Sequence, residues 1–190
     1  MNLSGEELTL TRAGHRIFCR RWLCREPAGA RANLLIAHGM GEHSERYGEL
    51  AHALTEAQFN VYSPDLRGHG KSLPSLIEPG DMGHNGWQET LEDLAFLEHW
   101  MTEQYDRPAI LCGHSMGGLV CMCLASLNRK TFKSVSIFNC QYPLFVGSAL
   151  LDDSSRNLDG AADFLTKYGI HKLPSKEKPT KAFGIKGSSF

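Results

Sequence analysis

The stretch PAILCGHSMGGLVCMCLASL, residues 108–127, decides the fold because its pattern changes around Ser115. It begins with a continuous apolar run, which is typical of a strand buried on both faces. Residues 116–127 predict a helix. Between them, GHSMGG (113–118) fits the pattern G-x-S-x-G, in which the serine occupies a sharp strand-to-helix turn. The stretch therefore predicts strand, tight turn and helix in immediate succession, with Ser115 at the turn.

The same alternation of strand and helix patterns extends over most of the chain before residue 140. Strand patterns cover 9–23 (two strands around a turn at Ala13-Gly14), 33–37, 59–63 and 133–140, and helix patterns cover 47–57 and 87–101. A glycine- and proline-rich loop is expected between 64 and 86. Strands that alternate with helices predict an α/β fold with a mainly parallel sheet flanked by helices.

The composition is that of an ordinary globular protein. The 190 residues include 20 basic and 21 acidic side chains, so the formal net charge is -1 and no overall field favours nucleic acid or an anionic membrane. The first residues, MNLSGEELTL, lack the basic and apolar regions of a secretory signal. No run approaches the ~18 apolar residues of a membrane span. These features predict a soluble, cytoplasmic protein that does not bind nucleic acid.

The cysteines predict neither a disulfide framework nor a metal site. They lie mostly within apolar runs, without paired C-x-x-C spacing, and in a reducing compartment they are expected to be small buried hydrophobes. The six are Cys19, Cys24, Cys112, Cys121, Cys123 and Cys140.

Ser115 is the candidate nucleophile of the chain. At a turn of this kind Gly113 and Gly117 remove the side chains that would collide where strand and helix converge. The position at a helix N-terminus also lets backbone N–H groups meet negative charge. The alternative is a glycine-rich turn in which the serine is incidental.

HGMG (38–41) follows the first central strand and predicts an oxyanion hole. Acyl transfer needs two N–H donors aimed at the developing negative charge, one from the residue after the nucleophile and one from the loop after this strand. These donors are predicted to be the backbone amides of Met116 and Met40. His38 is expected to be a hydrogen-bonded loop residue and not a catalyst.

Two nucleotide-binding interpretations compete with this hypothesis. HGMGEHS lies between a strand and a helix, like a dinucleotide fingerprint with Asp65 at the end of the next strand, but Ser44 replaces the third glycine. GHGKS (68–72) resembles the end of a phosphate loop, but Asp65 stands where its first glycine should be and Leu73-Pro74 blocks the following helix. Both patterns are incomplete. Asp65, Arg67 and His69 are instead expected to fix a loop through side-chain-to-backbone hydrogen bonds, and His84 to be a loop residue of the same kind.

HGMGEHSERY, PDLRGHGKS and GHSMGG, in this order and separation, resemble the monoacylglycerol lipase and lysophospholipase group of α/β-hydrolases. The resemblance covers roughly residues 30–140. It implies a serine hydrolase that cleaves carboxylic esters of glycerol-type lipids, with Ser115 as nucleophile, the Met40 and Met116 amides as oxyanion hole, and no metal or cofactor. Related peptidases share the fold and the serine, so the scissile bond is less closely specified than the nucleophile.

The resemblance also implies an order of Ser, Asp and His along the chain, with a cap before the last two strands. Residues 1–140 are therefore interpreted as the N-terminal part of the hydrolase core with strands one to six, and 141–190 as the start of a poorly ordered, cap-like segment. The last two strands, which should carry the acid and the histidine, are expected to be missing from this sequence, so the chain is interpreted as a shortened member of the family, truncated in the cap region. His171 is the only histidine after Ser115 and is a weak candidate for the base, because no strand is predicted before the acids Asp152, Asp153, Asp159 and Asp163 that precede it.

The leading hypothesis is a lysophospholipase or monoacylglycerol lipase-like hydrolase that takes a small lipid ester and makes transient contact with membrane surfaces. An inactive, shortened hydrolase that binds lipid or a partner is the alternative, since a serine without a base is a poor nucleophile. A dinucleotide-binding domain is a third hypothesis and predicts stabilisation by NAD.

Overall fold

The computed structural model describes residues 4–74, 76–127, 132–138 and 147–150, and it contains one seven-stranded sheet. In the sheet the strands follow the order β1-β2-β4-β3-β5-β6-β7. Their bounds are β1 Glu6–Arg12, β2 His15–Trp22, β3 Ala32–Ala37, β4 Phe59–Pro64, β5 Ala109–His114, β6 Phe132–Phe138 and β7 Gly147–Leu150. The strands β4, β3, β5 and β6 run parallel, and the remaining pairs are antiparallel. The predicted α/β fold is confirmed, with a parallel centre and antiparallel edges.

Within the described ranges, three helices lie on the two faces of this sheet. They are α1 Gly48–Glu56, α2 Gly86–Gln104 and α3 Met116–Leu127, and short 3-10 turns cover Pro27–Gly29, Ser44–Tyr47 and Gly70–Ser72. Each helix begins and ends within a few residues of the predicted bounds. The agreement is expected, because an amphipathic helix packed on a sheet needs the apolar spacing from which it was predicted.

The central strands are buried on both faces, which explains their uninterrupted apolar runs. All six residues of β3 are buried. Leu35 faces one hydrophobic cluster, which contains α2 and α3 residues such as Leu94 and Leu124. The neighbouring residues of the strand face a second cluster, which contains Leu54 of α1. Since side chains alternate along a strand, the sequence ANLLIA supplies both clusters at once.

The short strand β7 was not predicted. Residues 141–190 showed no strand pattern, and the absence of a strand before Asp152 was used as an argument against the acids of this segment. The structure instead pairs Gly147–Leu150 with β6 in antiparallel orientation, and this strand ends two positions before Asp152 in the sequence. The sequence GSAL has no alternation of apolar and polar residues, so its pairing depends on the free edge of β6 and has no local signal. Asp152 itself, like Asp153, Asp159, Asp163 and His171, lies outside the described residues.

A buried ionic cluster fastens the N-terminal hairpin and the 64–86 loop to α2. Asp93 is 5% exposed and accepts hydrogen bonds from Arg12 Nε at 2.7 Å and from Arg67 Nε at 3.0 Å. Arg12 also pairs with Glu89 and Glu92. Burial alone would lower the pKa of Arg12, but the carboxylates of Asp93 and Glu89 reverse this and raise it. Two guanidinium groups compensate the negative charge of the buried Asp93 carboxylate. The cluster therefore fixes the position of Arg67.

The cysteines that the structure describes carry free thiols and are largely buried, and the burial is as predicted. Cys19, Cys24, Cys112 and Cys121 are buried, and Cys123 is partly buried. Burial raises the pKa of Cys121 to about 12, so its thiol stays protonated and unreactive at neutral pH. Within the described ranges no helix is long and apolar enough to cross a membrane.

Candidate functional site

Ser115 lies in a strained turn between β5 and α3. Its φ angle is 50°, in the left-handed region, and its side chain is exposed. For a residue with a side chain this backbone conformation costs roughly 1–2 kcal/mol. The carbonyl of Ser115 already accepts the first bonds of α3, from Gly118 N at 2.9 Å and Leu119 N at 3.2 Å. The predicted strand, sharp turn and helix are therefore present, and strain is concentrated on the serine.

The glycines on either side of the turn allow backbone segments to touch. A Cβ on Gly113 would lie 2.5 Å from the Gly117 carbonyl oxygen, and a Cβ on Gly117 would lie 2.5 Å from the His38 carbonyl oxygen. Real Cβ atoms do not approach backbone atoms so closely. The start of α3 is thus packed directly on the end of β3, which brings the loop after β3 beside Ser115.

The sheet register brings the same two segments together. Ala37, the last residue of β3, pairs with Gly113 of β5. Because parallel neighbours end at the same edge of the sheet, the loop that starts at His38 and the turn that contains Ser115 leave this edge side by side. The two amides predicted to form the oxyanion hole, those of Met40 and Met116, belong to these two segments.

The loop after β3 contains a tight turn from Gly39 to Glu42. Its backbone bond runs from Glu42 N to Gly39 O at 3.2 Å, and Gly41 has a φ of 73°. A positive φ at the third position of such a turn is strained for residues other than glycine. Met40 occupies the second position, and its side chain is 58% exposed. The turn therefore determines which way the Met40 amide points.

His38 has a structural environment, as predicted. It is fully buried, and both ring nitrogens are hydrogen-bonded: Nε2 accepts from Leu66 N–H at 2.8 Å, and Nδ1 lies 2.7 Å from Gly39 O. An N–H group can only donate, so Nε2 is unprotonated and Nδ1 carries the proton. Burial lowers the pKa of His38 to about 4, against an ordinary value of 6.5. The ring is neutral at neutral pH and links the 38–44 loop to the loop after β4.

The low pKa of His38 predicts a stability that falls in mild acid. Between pH 6.5 and about 4 the unfolded chain binds a proton on this residue that the folded chain does not. The stabilisation by neutral His38 is thus complete above pH 6.5 and is lost as the pH falls towards 4, by at most about 1.4 kcal/mol per pH unit. Urea unfolding midpoints measured across this range should depend less on pH in His38→Gln than in wild type. The exposed His84 provides the control, since His84→Gln should retain the wild-type slope; an unchanged slope in His38→Gln would contradict the prediction.

Asp65 joins the two loops at this edge of the sheet. It is 3% exposed, and its two oxygens accept from Ser44 N and Lys71 N, each at 2.7 Å. Both carboxylate oxygens are thus engaged by backbone amides, as expected for a loop-fixing residue and not for a ribose ligand. His69 acts similarly through Nδ1 and Arg67 O at 2.9 Å.

The predictions for Arg67 and His84 had different outcomes. The Arg67 side chain binds Asp93 and not a backbone group, which corrects the expected role. His84 is an exposed residue of a turn, which agrees with its predicted place in a loop, whereas its predicted bond to the backbone stays a prediction.

Glu42 is a site residue that the sequence analysis missed. Its Oε2 atom accepts hydrogen bonds from Gly39 N at 3.0 Å and Tyr47 Oη at 2.9 Å, and it lies 3.0 Å from His114 Nδ1. Burial by itself raises the pKa of Glu42, but these bonds outweigh it and lower the pKa to about 2. The available signal was Glu42 within HGMGEHSERY, which was used only as part of a motif.

No base hydrogen-bonded to Ser115 is present among the described residues. Over residues 4–74, 76–127, 132–138 and 147–150, no hydrogen bond to Ser115 Oγ is present. His171, the weak candidate for the base, lies outside these ranges. In the same part of the chain, no group of three or more His, Cys, Asp or Glu residues could hold a metal ion.

Comparison with known sequences relates the chain to hydrolases. A family model described as serine aminopeptidase, S33, matches residues 28–142, which include the 38–41 loop and Ser115. The monoglyceride lipase of Mus musculus is 38% identical over 125 residues, which cover 64% of this chain and 38% of the relative. The monoglyceride lipase of Homo sapiens is 36% identical over 117 residues, covering 60% of this chain and 35% of the relative. The matched region thus spans little more than a third of these relatives.

Solved structures of hydrolases resemble the fold of this chain over about two thirds of its length or more. A carboxyl esterase from Bacillus coagulans superposes with a TM-score of 0.63 at 28% identity, over 70% of this chain and 43% of that one. A monoglyceride lipase from Saccharomyces cerevisiae gives a TM-score of 0.60 at 18% identity, over 70% of this chain and 44% of that one. The second likeness concerns the fold alone. Both comparisons agree with a partial α/β-hydrolase fold.

Proposed function

Because this chain belongs to the serine aminopeptidase S33 family of α/β-hydrolases, we propose that it is a serine hydrolase of carboxylic esters. The observation that carries the proposal is Ser115, exposed at a φ of 50° between β5 and α3. A polar residue held in a strained conformation at the edge of a buried sheet is characteristic of a functional site. The substrates proposed are lysophospholipids or monoacylglycerols, in line with the monoglyceride lipases to which the chain is similar.

In the proposed reaction, Ser115 Oγ attacks the ester carbonyl carbon and its proton passes to a base. The carbonyl electron pair moves to the oxygen, which the amides of Met40 and Met116 stabilise. Collapse of this intermediate breaks the bond to the glycerol oxygen, and the alcohol leaves with the proton. Water then attacks the acyl-enzyme and releases the fatty acid, which restores the serine. We place the base and the acid outside the described residues.

The contact between the two loops supports the assignment of the oxyanion donors. Gly117 packs on the carbonyls of Ala37 and His38, immediately before the turn that contains Met40. The N-terminus of α3 adds the positive end of a helix dipole at Met116. A negative oxygen between these segments would meet N–H groups and a favourable field, with no metal required.

A fluorophosphonate probe tests the proposal directly, because it reacts with activated serines. The full folded chain is expected to be labelled, with the probe mapped by peptide mass spectrometry to the segment that contains Ser115. The heat-denatured chain is the control and should not react, since an ordinary serine hydroxyl is a weak nucleophile. If folded protein is not labelled, this chain is not an active hydrolase, and a role in binding lipid or a partner becomes the better description.

A further inference from the structure

Three parts of the fold meet at one oxygen of Glu42. Its Oε2 atom contacts Gly39 N at 3.0 Å, Tyr47 Oη at 2.9 Å and His114 Nδ1 at 3.0 Å. Gly39 belongs to the turn with Met40, Tyr47 lies immediately before α1, and His114 is the residue before Ser115. The Glu42 clamp, meaning this carboxylate and its three donors, therefore connects both sides of the proposed oxyanion hole.

The charge state of Glu42 makes this connection stronger than three neutral hydrogen bonds. Its side chain is only 13% exposed, and hydrogen bonds from Gly39, His114 and Tyr47 outweigh the effect of burial and hold its pKa near 2. An ionised carboxylate only accepts, so His114 must carry a proton on Nδ1. Hydrogen bonds to an ionised acceptor are about twice as strong as neutral ones.

The clamp also closes the turn that holds Met40. Gly39 and Glu42 are joined twice, once through Glu42 N and Gly39 O at 3.2 Å and once through Gly39 N and the Glu42 carboxylate. A Cβ on Gly39 would lie 2.9 Å from His114 Nδ1 and 3.3 Å from Glu42 Oε2, so only glycine leaves room for the contact. With both ends of the turn fixed, the peptide groups around Met40 have little freedom to rotate.

We propose that Glu42 is a positioning residue, which acts through Gly39 and His114 to hold the Met40 turn at a fixed distance from Ser115. This inference rests on the proposed function, since it assigns a task within the same site. Glu42 does not touch the reacting atoms. Its task is to keep the donor from the loop after β3 in place as negative charge develops on the substrate oxygen, a process that is sensitive to misplacement by about 1 Å.

The test compares Glu42→Gln with Glu49→Gln, a substitution of an exposed glutamate in the first turn of α1. Inactivation by a fluorophosphonate is resolved into the binding constant KI and the chemical rate kinact, well below the unfolding temperature of each variant. Glu42→Gln is expected to lower kinact roughly 10- to 100-fold with KI unchanged, because a displaced donor affects the charged intermediate and not the initial complex. Glu49→Gln should match wild type. A purely structural Glu42 would lower the unfolding temperature and leave kinact of the folded protein within twofold, which would overturn the proposal.

Hydrogen exchange gives a readout that does not need activity. Peptides that contain Gly39 and Met40 should exchange faster in Glu42→Gln, while peptides from α2 should not change. If wild type is not labelled, the proposed function fails, and hydrogen exchange alone then tests the Glu42 clamp. Equal exchange of these peptides in wild type and Glu42→Gln would refute the clamp. Should Glu42→Gln not fold, Tyr47→Phe removes one donor and keeps the ring, and a drop in kinact of about fivefold is expected. No drop in that variant would count against the proposal.

Discussion

Ser115→Ala is expected to abolish fluorophosphonate labelling. Ester hydrolysis should fall by about 10⁶-fold relative to wild type, the loss that removal of the nucleophile causes in a serine hydrolase with a complete triad. The proposed reaction begins with a bond from Ser115 Oγ, and alanine has no atom that can form it. Because the Ser115 side chain is exposed, the substitution removes no buried contact. The measurement is labelling at a single probe concentration over time, followed by hydrolysis of a short-chain p-nitrophenyl ester. Residual labelling of the variant would identify a different nucleophile.

Ser115→Gly separates loss of the nucleophile from relief of strain. Glycine also lacks the hydroxyl, but it adopts a positive φ without the steric cost that alanine retains. Ser115→Gly should therefore be as inactive as Ser115→Ala and more stable by about 1 kcal/mol, which corresponds to an unfolding temperature roughly 2–4 °C higher. Equal unfolding temperatures for the two variants would mean that the turn is not strained.

The parts of the fold that could be predicted from the sequence are those fixed by local patterns. β3 and β5 were recognised because a strand buried on both faces must be apolar throughout, as Leu34, Leu35 and Ile36 are. The turn at Ser115 was recognised because few sequences tolerate a strand, a left-handed residue and a helix in succession. The glycines on both sides of the serine are needed for such a turn. The same reasoning correctly described His38 and Asp65 as residues that fix loops.

Contacts between distant residues could not be derived in this way. Glu42 and His114 are 72 positions apart, and Arg12 and Asp93 are 81 positions apart. Neither pair has a periodic signature, since each depends on which strands become neighbours in the sheet. The strand β7 has the same origin, because its four residues, GSAL, pair with β6 only once the edge of β6 is present. Arg67 was predicted to contact backbone groups, because no pattern in the sequence indicates that α2 places Asp93 against it.

Gly117→Ala is expected to destabilise the chain by about 3 kcal/mol and to lower the unfolding temperature by about 10 °C. A Cβ at this position would approach the carbonyl oxygens of Ala37 and His38, which are backbone atoms of a central strand end and cannot rotate away as a side chain can. Relief requires that the start of α3 move away from β3. Thermal unfolding of the full chain provides the measurement.

Two control variants separate this steric effect from other effects of glycine. Gly29→Ala adds a Cβ whose nearest neighbour, the Glu26 side chain, is 3.9 Å away, and it should be nearly neutral. Gly14→Ala meets no atom within 4 Å but has a φ of 79°, so it should cost only the roughly 1–2 kcal/mol of a left-handed alanine. If Gly117→Ala is no more destabilising than Gly14→Ala, then α3 is not packed against β3 as described.

The same variant connects stability with the proposed chemistry. Moving α3 away from β3 increases the separation between the Met116 amide and the Met40 turn, because these groups follow directly from the two segments in contact. Folded Gly117→Ala should therefore be labelled about 10²-fold more slowly, the loss expected when one oxyanion donor is misplaced. The clamp at Glu42 cannot compensate, since it fixes the Met40 turn to His114 and not to α3. Wild-type labelling in a destabilised Gly117→Ala would show that the two amides do not act together on one oxygen.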